Sequence, residues 1–309
     1  FWKKLSSLWR VWGITSQLEK EGIELFHGLS NELPLNIHKS RIKSIVTIHD
    51  LIFLRYPQYY QSIDRKIYTY KFRKACENAD KIIAISECTK RDIIRYFNIP
   101  DDKIEVVYQG CDVSFTHPVT EEKKEEVRKK YQLPDHYILN VGSIEERKNI
   151  LAAVQALPML PQHIHIVIVG RRTGYTEKVE QFIKDNGLGE RVHIISNVPF
   201  NDLPAFYQSA EIFVYPSRFE GFGIPIIEAL YSGIPVVAAT GSCLEEAGGP
   251  DSIYVNPDDI TGLADAFKQI YSNSDKRKNM VEKGREFAKR FSEKQQSEEI
   301  INIYKKLIR

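Results

Sequence analysis

The chain has 309 residues, of which 42% are hydrophobic and 27% are charged, and its formal net charge is +2. This length exceeds that of one ordinary domain, and the composition is typical of a packed, soluble protein. The small net charge argues against nucleic-acid binding, which usually needs a strong positive excess, and no apolar run is long enough to span a bilayer.

Large aromatic residues are concentrated at the start of the chain, where residues 1–12 contain all three tryptophans. A helix is predicted there, because four apolar residues share one face at helical spacing: Phe1, Leu5, Leu8 and Trp12. Such a helix could lie on a membrane, with Lys3, Lys4 and Arg10 near the headgroups. It could also pack on its own domain, and we favour this second interpretation.

Short β-branched runs then alternate with longer amphipathic segments. Strands are predicted at 24–28, 44–48, 81–85 and 104–107, with helices at 60–78 and 87–97. Ser86 follows a predicted strand directly and is expected to cap the second helix.

A second series of the same kind follows. Strands are predicted at 137–141, 164–169, 192–195, 212–215 and 235–238, with helices at 149–157, 176–186, 202–209 and 224–232. Alternation of this kind indicates parallel sheets covered by helices on both faces. From residue 260 the chain is predicted to be helical, in three amphipathic segments.

The segment 112–134 separates the two series and is interpreted as a linker followed by a solvated, highly charged helix. We therefore predict an α/β protein with two doubly wound, Rossmann-like domains at 1–115 and 116–290, and a helix at 291–309 that packs back on the first domain. Two such domains leave a cleft between them, and ligands bind at the carboxyl ends of the strands of such sheets.

The cysteines and acidic residues predict no metal centre. The four cysteines include no C-x-x-C pair: Cys76, Cys88, Cys111 and Cys243. This spacing predicts neither a zinc site nor a disulfide framework, and thiols fit a reducing cytoplasm. No D-x-D triplet or His/Asp cluster with metal spacing occurs, so we expect neither a required metal nor a bound cofactor.

The most informative motif is E-G-F-G-I-P-I-I-E at 220–228, which follows a predicted strand and opens a predicted helix. Glycines let the backbone approach a ligand closely, and Pro225 suits the first turn of a helix. The amides of Phe222, Gly223 and Ile224 can then bind an anion or hydroxyls. Glu220 before the helix and Glu228 one turn inside it have different positions and so suggest different partners.

A second motif, G-S-I-E-E-R-K-N at 142–149, also lies between a predicted strand and a helix. Arg147 and Lys148 would place positive charge where a departing nucleoside diphosphate gains negative charge. Two solvated loop cations are the alternative interpretation.

His49 and Asp50 end a strand of the first domain in the motif T-I-H-D. His49 could bond a sugar hydroxyl across the cleft, while Asp50 could fix the tautomer of His49 or cap the next element. A purely structural histidine is an equally weighted alternative.

These motifs resemble those of the family-4, or group 1, retaining glycosyltransferases of GT-B fold, and most closely bacterial mannosyltransferase-like members that build cell-surface polysaccharides. I-S-E-C-T-K at 85–90 and Y-Q-G-C-D at 108–112 support the resemblance, which covers nearly the whole chain.

The resemblance implies a role for each motif. Glu220 and the amides of the 222–224 turn would hold the hydroxyls and phosphate of the donor sugar, while Glu228 would bind the ribose. Lys148, aided by Arg147, would stabilise the diphosphate, and His49 would contact the donor sugar. Gly142 and Ser143, at the start of the second motif, would also face the donor, and the loop 197–200, with Val198 and Pro199, would cradle the base.

Two departures from the family pattern stand out. Members often have an arginine directly after the glycine that corresponds to Gly142, whereas this chain has Ser143, so Arg147 is expected to compensate. Members also begin with a strand and a glycine-rich loop that this sequence lacks. We therefore expect a complete donor domain and a truncated acceptor domain.

The predicted reaction is transfer of a hexose, with mannose favoured, from GDP-mannose or a UDP-sugar to a glycan or a lipid-linked acceptor. Retention through a front-side path is expected, because no nucleophilic carboxylate is evident. A nucleotide-sugar epimerase of the same fold and a non-catalytic nucleotide-sugar-binding fragment remain alternatives.

The expected location is cytoplasmic, with peripheral contact at the inner membrane face. A basic cluster interleaved with aromatic residues could rest on anionic lipid: Arg65, Lys66, Lys71, Arg73 and Lys74. An ordinary solvated helix is the interpretation that we favour for this cluster.

Overall fold

The computed structural model describes residues 9–308. The chain divides into two compact units, which we call unit 1 (residues 1–109 and 294–309) and unit 2 (residues 110–293). The switch from unit 1 to unit 2 comes earlier than the boundary predicted after residue 115. The reason is that Phe115 is fully buried and its ring lies 5.4 Å from that of Tyr207, deep in unit 2.

Unit 1 is built on a parallel sheet whose described strands are in the order β1-β2-β3-β4. The strands are β1 (Leu25–Gly28), β2 (Lys43–Ile48), β3 (Lys81–Ala84) and β4 (Ile104–Val106). The helices are α1 (Ile14–Lys20), α2 (Ile52–Arg55), α3 (Ser62–Asn78), α4 (Glu87–Phe97) and, at the end of the chain, α13 (Glu293–Ile308). Ser86 caps α4 as predicted, since its hydroxyl accepts the amide of Thr89 at 3.0 Å.

Helix α13 covers one face of this sheet. Ile303 packs with Ile45 and Ile83 of the neighbouring strands, and the hydroxyl of Tyr304 lies 2.6 Å from Nδ1 of His27. The apolar stripe of a surface helix is buried against a sheet in this way, which explains why the last segment of the chain belongs to unit 1.

The start of the described chain differs from the predicted helix. Trp9–Gly13 forms a single π-helical turn before α1, and Trp12 is 53% exposed. Phe1, Leu5 and Leu8 lie outside the described residues, so the predicted apolar face is not tested. Within residues 9–308, no helix combines the length and the apolar character that crossing a membrane requires.

Unit 2 contains a second parallel sheet, with described strands in the order β10-β9-β8-β5-β6-β7. They are β5 (Tyr137–Val141), β6 (His165–Val169), β7 (Val192–Ile195), β8 (Ile212–Tyr215), β9 (Val236–Ala239) and β10 (Ile253–Val255). The helices are α5 (Glu121–Tyr131), α6 (Ile150–Ala156), α7 (Thr176–Asp185), α8 (Leu203–Ser209), α9 (Ile224–Ser232), α10 (Leu244–Gly248), α11 (Ile260–Ser272) and α12 (Ser274–Ala288).

The chain order reverses at β5, which pairs with β6 on one side and with β8 on the other. Open α/β sheets bind ligands at such a switch point, outside the carboxyl ends of the strands. The loops that leave β5 and β8 carry the two most informative sequence motifs, so the topology of unit 2 brings these motifs together.

Candidate active site

The loop after β5 and the turn after β8 contact each other directly. The amide of Arg218 donates to the carbonyl of Arg147 at 2.9 Å, and Asn149 Nδ2 donates to the carbonyl of Pro216 at 3.3 Å. The motifs at 142–149 and 220–228 therefore form one structure, the candidate active site.

Glu220 lies at the centre of this site, and its side chain is 13% exposed. Four neighbouring side chains surround the carboxylate: Tyr215 Oη at 3.2 Å, Ser217 Oγ at 2.9 Å, Arg147 Nη1 at 2.8 Å and Lys148 Nζ at 3.9 Å. The two hydroxyls and Arg147 fix the orientation of this carboxylate, and Lys148 adds a second positive charge near it.

Arg147 is as enclosed as Glu220. Its guanidinium donates to the carbonyl of Phe219 and reaches Glu145 Oε2 at 3.6 Å. Burial alone would lower the pKa of Arg147, but the carboxylate of Glu220 outweighs burial and holds the pKa above its ordinary value.

Lys148 lies against the start of its own loop. A Cβ atom at Gly142 would stand 3.1 Å from Lys148 Nζ, and Gly142 has a φ of 151°. Glycine is needed there for the backbone conformation, and it also leaves room for the ammonium group. Nζ lies 3.4 Å from Tyr215 Oη and 5.8 Å from the centre of that ring.

Ser143, which stands where family members often have arginine, contributes no positive charge. Its hydroxyl donates to Glu145 Oε1 at 2.6 Å. The cations nearest Glu220 are therefore Arg147 and Lys148, both from the far end of the loop.

The turn before α9 depends on Gly223, whose φ of 136° is strained for any other residue. A Cβ there would also approach Leu244 and Ala247 of α10 within 3.2 and 3.3 Å. Gly223 is the N-cap of α9 and has no side chain with which to cap the first turn, so this helix start can present its amides to an anion.

Cys243 contacts the backbone of the same turn. Its buried Sγ lies 3.0 Å from the carbonyl oxygen of Glu220 and 2.8 Å from that of Phe222, so its one S–H can donate to either of them. Phe222 is itself buried, and its ring lies 5.5 Å from that of Phe291. Only the backbone of Phe222 can therefore take the ligand-binding role predicted for this residue, because its side chain is part of the core.

Glu228 faces a different environment from Glu220. The hydroxyl of Tyr207 donates to Glu228 Oε2 at 2.6 Å. Burial raises the pKa of Glu228; the Tyr207 bond opposes this rise, and the carboxylate of Asp112 adds to it. The two glutamates of the motif therefore have separate protein partners, while the different ligand partners expected from their positions stay a prediction.

The loop predicted to hold the base is linked to this second glutamate through aromatic side chains. Val198 is partly buried and Pro199 is exposed, while the ring of Phe200 lies 5.7 Å from that of Phe115. Phe115 contacts Tyr207 in turn. A chain of aromatic contacts thus connects the 197–200 loop with Glu228.

His49 lies in unit 1, at the carboxyl end of β2. Its Nε2 lies 2.8 Å from the carbonyl of Leu29, so this main-chain oxygen selects the tautomer that carries a hydrogen on Nε2. Asp50 Oδ1 accepts the amide of Ile52 at 3.0 Å and so caps α2, which was one of the two roles predicted for it.

Several contributors were not predicted from the sequence. Tyr215 and Ser217 lie directly before the motif at 220–228, so the strand-to-helix position was an available signal for both. Tyr207 and Cys243 contact the motif only through tertiary structure and have no local signal. Among residues 9–308, no group of three or more His, Cys, Asp or Glu side chains is arranged to hold a metal ion.

Comparison with known proteins identifies the family. Residues 121–287 match the family model of glycosyl transferases group 1, and residues 1–115 match that of glycosyltransferase family 4. An O-antigen chain mannosyltransferase B from Escherichia coli is 31% identical over 92% of this chain and 74% of its own length.

Solved structures show the same fold. A glycosyltransferase from Rickettsia africae superposes with a TM-score of 0.81 at 24% identity, over 96% of this chain and 80% of that one. Anabaena HepE, solved in complex with UDP, gives a TM-score of 0.81 at 17% identity, over 96% and 81% of the two chains. The predictions of the fold and the enzyme class are confirmed: the chain belongs to the group 1 glycosyl transferases and is a glycosyltransferase of GT-B fold.

Proposed function

We propose that this glycosyltransferase moves a hexose, with mannose favoured, from a nucleotide sugar to a glycan or a lipid-linked acceptor, with retention of anomeric configuration, in the synthesis of a cell-surface polysaccharide. The observation that carries this proposal is the convergence of Lys148, the uncapped start of α9 and the oriented Glu220 at the switch point of unit 2.

The donor diphosphate is assigned to Lys148 and the start of α9. An ammonium group and a helix N-terminus both stabilise the negative charge that develops as the sugar–phosphate bond breaks. Gly142 and Gly223 support this assignment, since Gly142 leaves room for the ammonium group of Lys148 and Gly223 allows the positive φ with which the turn leads into α9. Glu220 and the amides of 222–224 would hold the hydroxyls of the sugar.

The nucleoside is assigned to the region between Glu228 and the 197–200 loop. A carboxylate held by Tyr207 is oriented to accept two ribose hydroxyls. Val198 and Pro199 would contact the base. The aromatic chain through Phe115 supports this assignment, because it fixes the loop relative to Glu228.

Mannose is favoured because the relative from Escherichia coli is named as a mannosyltransferase of the O-antigen chain. GDP-mannose is therefore the first donor to test. A UDP-sugar is the second, since the structurally similar Anabaena protein was solved with UDP.

Retention follows most simply from a front-side path. The bond from the anomeric carbon to the diphosphate oxygen breaks, and the acceptor oxygen bonds to the same face of that carbon. A diphosphate oxygen takes the proton of the acceptor hydroxyl. The four neighbours around Glu220 support this path, because a carboxylate that is held by hydrogen bonds and ion pairs is a poor nucleophile for the anomeric carbon.

A lipid-linked acceptor would place the enzyme at the cytoplasmic face of the inner membrane. Helix α3 supports this part of the proposal, because Ile63, Ile67 and Tyr70 are 70%, 46% and 55% exposed among the basic residues Arg65, Lys66 and Arg73. Apolar side chains between cations are typical of surfaces that rest on anionic lipid.

The test is a donor screen on the purified chain. Thermal shift with GDP-mannose and UDP-sugars identifies the donor, because a ligand that binds only the folded state raises the unfolding temperature. Transfer to a glycan acceptor is then followed by NMR of the anomeric proton, with retention expected. Epimerised donor in the absence of acceptor would identify an epimerase, and binding without any turnover would identify a binding fragment.

A further inference from the structure

Arg147 makes contacts that differ from those of its neighbour Lys148, although the family resemblance gives both the same partner. We infer that Arg147 is a positioning residue that holds Glu220 and its turn in place, and that Lys148 alone provides the side-chain charge for the donor diphosphate. This inference rests on the proposed function and assigns the roles within that site.

The side chain of Arg147 is largely buried, and protein groups hold both donors of its Nη1. It is 13% exposed, and Nη1 lies 2.8 Å from Glu220 Oε2 while also donating to the carbonyl of Phe219. Nη2 lies 3.6 Å from Glu145 Oε2. A planar guanidinium donates in fixed directions, so a diphosphate could take over the Nη1 donors only by displacing Glu220 and the carbonyl of Phe219.

The backbone of Arg147 joins the same two segments a second time. Its carbonyl accepts the amide of Arg218 at 2.9 Å, and Ser217 Oγ lies 3.4 Å from the same oxygen. Ser217 in turn donates to Glu220 at 2.9 Å. Arg147 therefore holds the turn that carries Glu220 in two ways, through the main chain of Arg147 and through the side chain of Arg147.

Lys148 differs in each of these respects. Its nearest acceptors are Tyr215 Oη at 3.4 Å and Glu220 Oε1 at 3.9 Å, and both distances exceed those of a normal charged hydrogen bond. Its ammonium group can therefore turn to an incoming phosphate without breaking a short contact.

The two roles predict different kinetics. Arg147→Lys keeps the charge and loses the planar fork, so Glu220 is displaced and kcat falls by about ten- to a hundredfold, as for a small misplacement of a reacting group. The affinity for GDP or UDP, which lack the sugar, stays within about threefold. Lys148→Gln should weaken the same affinity by about tenfold or more.

The experiment measures Kd for GDP and UDP by calorimetry, and kcat for transfer, in both variants and the wild type. The calorimetric stoichiometry gives the fraction of molecules that bind nucleotide, and kcat is calculated for that fraction alone. Arg191→Lys is the matched control: this buried arginine donates to the carbonyls of Pro161 and Ile164, and its change should lower the unfolding temperature without changing kcat.

A double-mutant cycle completes the test. If Arg147 acts through Glu220, Arg147→Lys changes kcat little in a Glu220→Gln background. The inference is overturned if Arg147→Lys weakens GDP or UDP binding as much as Lys148→Gln does, or if Arg147→Lys leaves kcat per site unchanged. It is also overturned if Arg147→Lys lowers kcat by the same factor in the Glu220→Gln background as in the wild type. A wild type that transfers no sugar and binds neither nucleotide instead overturns the proposed function on which the inference rests.

Discussion

Tyr207 Oη donates a 2.6 Å hydrogen bond to Glu228 Oε2, which joins helix α8 to helix α9 through the interior of unit 2. Tyr207 is fully buried, so its hydroxyl has a fixed direction. The consequence is that one oxygen of Glu228 is held by the protein, while the carboxylate keeps a defined orientation for a ligand.

The first prediction is that Tyr207→Phe weakens the binding of the donor nucleotide roughly three- to tenfold, since one hydrogen bond to a charged group orients Glu228. Calorimetry with GDP and UDP measures the change. Tyr137→Phe is the control, because Tyr137 is equally buried but donates to the carbonyl of Phe206. Equal losses in the two variants would argue against a role of Glu228 in binding.

The second prediction concerns pH and Glu228. Burial raises the pKa of Glu228 in the folded state above its ordinary value of 4.5. The folded protein thus keeps the proton longer than the unfolded chain, so this group's contribution to the free energy of unfolding declines as pH rises from 4.5 through the folded pKa.

Glu228→Gln should remove this decline. The free energy of unfolding of the variant, relative to the wild type, should increase with pH across that window and then stay level, while nucleotide affinity falls. Chemical denaturation between pH 4 and pH 9, at about one-unit steps, measures the first effect. A variant that loses stability at neutral pH and keeps its affinity would contradict the assignment.

The third prediction concerns Asp202, which joins α5 to the start of α8. It accepts from Lys130 and Tyr131 and pairs with Lys123 at 2.9 Å. Burial would raise its pKa, but these partners lower it to about 2. This contribution to stability is present above the ordinary value of 3.8 and is lost as pH falls toward 2.

Asp202→Asn should therefore lower the free energy of unfolding at neutral pH by about 1–2 kcal/mol, a moderate value because the two lysines are partly exposed. The difference should disappear in acid. Denaturant titrations at neutral and acidic pH measure it, with exposed Asp185→Asn as the control. A loss that is the same at both pH values would mean that packing, and not charge, is responsible.

The fourth prediction concerns His49 of unit 1. Because the family resemblance assigns His49 to the donor sugar, His49→Ala should lower kcat for transfer by about tenfold. GDP and UDP affinity should stay unchanged, because the proposed nucleotide site lies in unit 2. Exposed His38→Ala is the control. An unchanged kcat would leave His49 as a structural residue bound to the carbonyl of Leu29.

Much of the site could be predicted from the sequence because its chemistry is local. Gly223 must adopt a positive φ directly before a helix, and Glu220, Arg147 and Lys148 lie in the loops that follow β8 and β5, so strand, turn and helix signals located them. The bounds of β5, β8 and α9 agree with the prediction for the same reason, since each is a buried run with clear flanking residues.

The remaining features depend on tertiary contacts. Tyr207 meets Glu228 only after α8 and α9 pack, and the pairing of Arg147 with Glu220 joins residues from the loops of two adjacent strands. The strand β10 and the helix α10 were not predicted, because both are very short and Gly248, Gly249 and Pro250 interrupt the pattern between them.

The most direct test of the central claim is the rate of sugar transfer by Glu220→Gln compared with that of the wild type, under saturating donor. Glutamine keeps the size of the side chain but loses the charge that Arg147 and Lys148 surround. The account predicts a fall in kcat of about a hundredfold or more, with GDP or UDP still bound. A Glu220→Gln enzyme that transfers sugar at nearly the wild-type rate would contradict it.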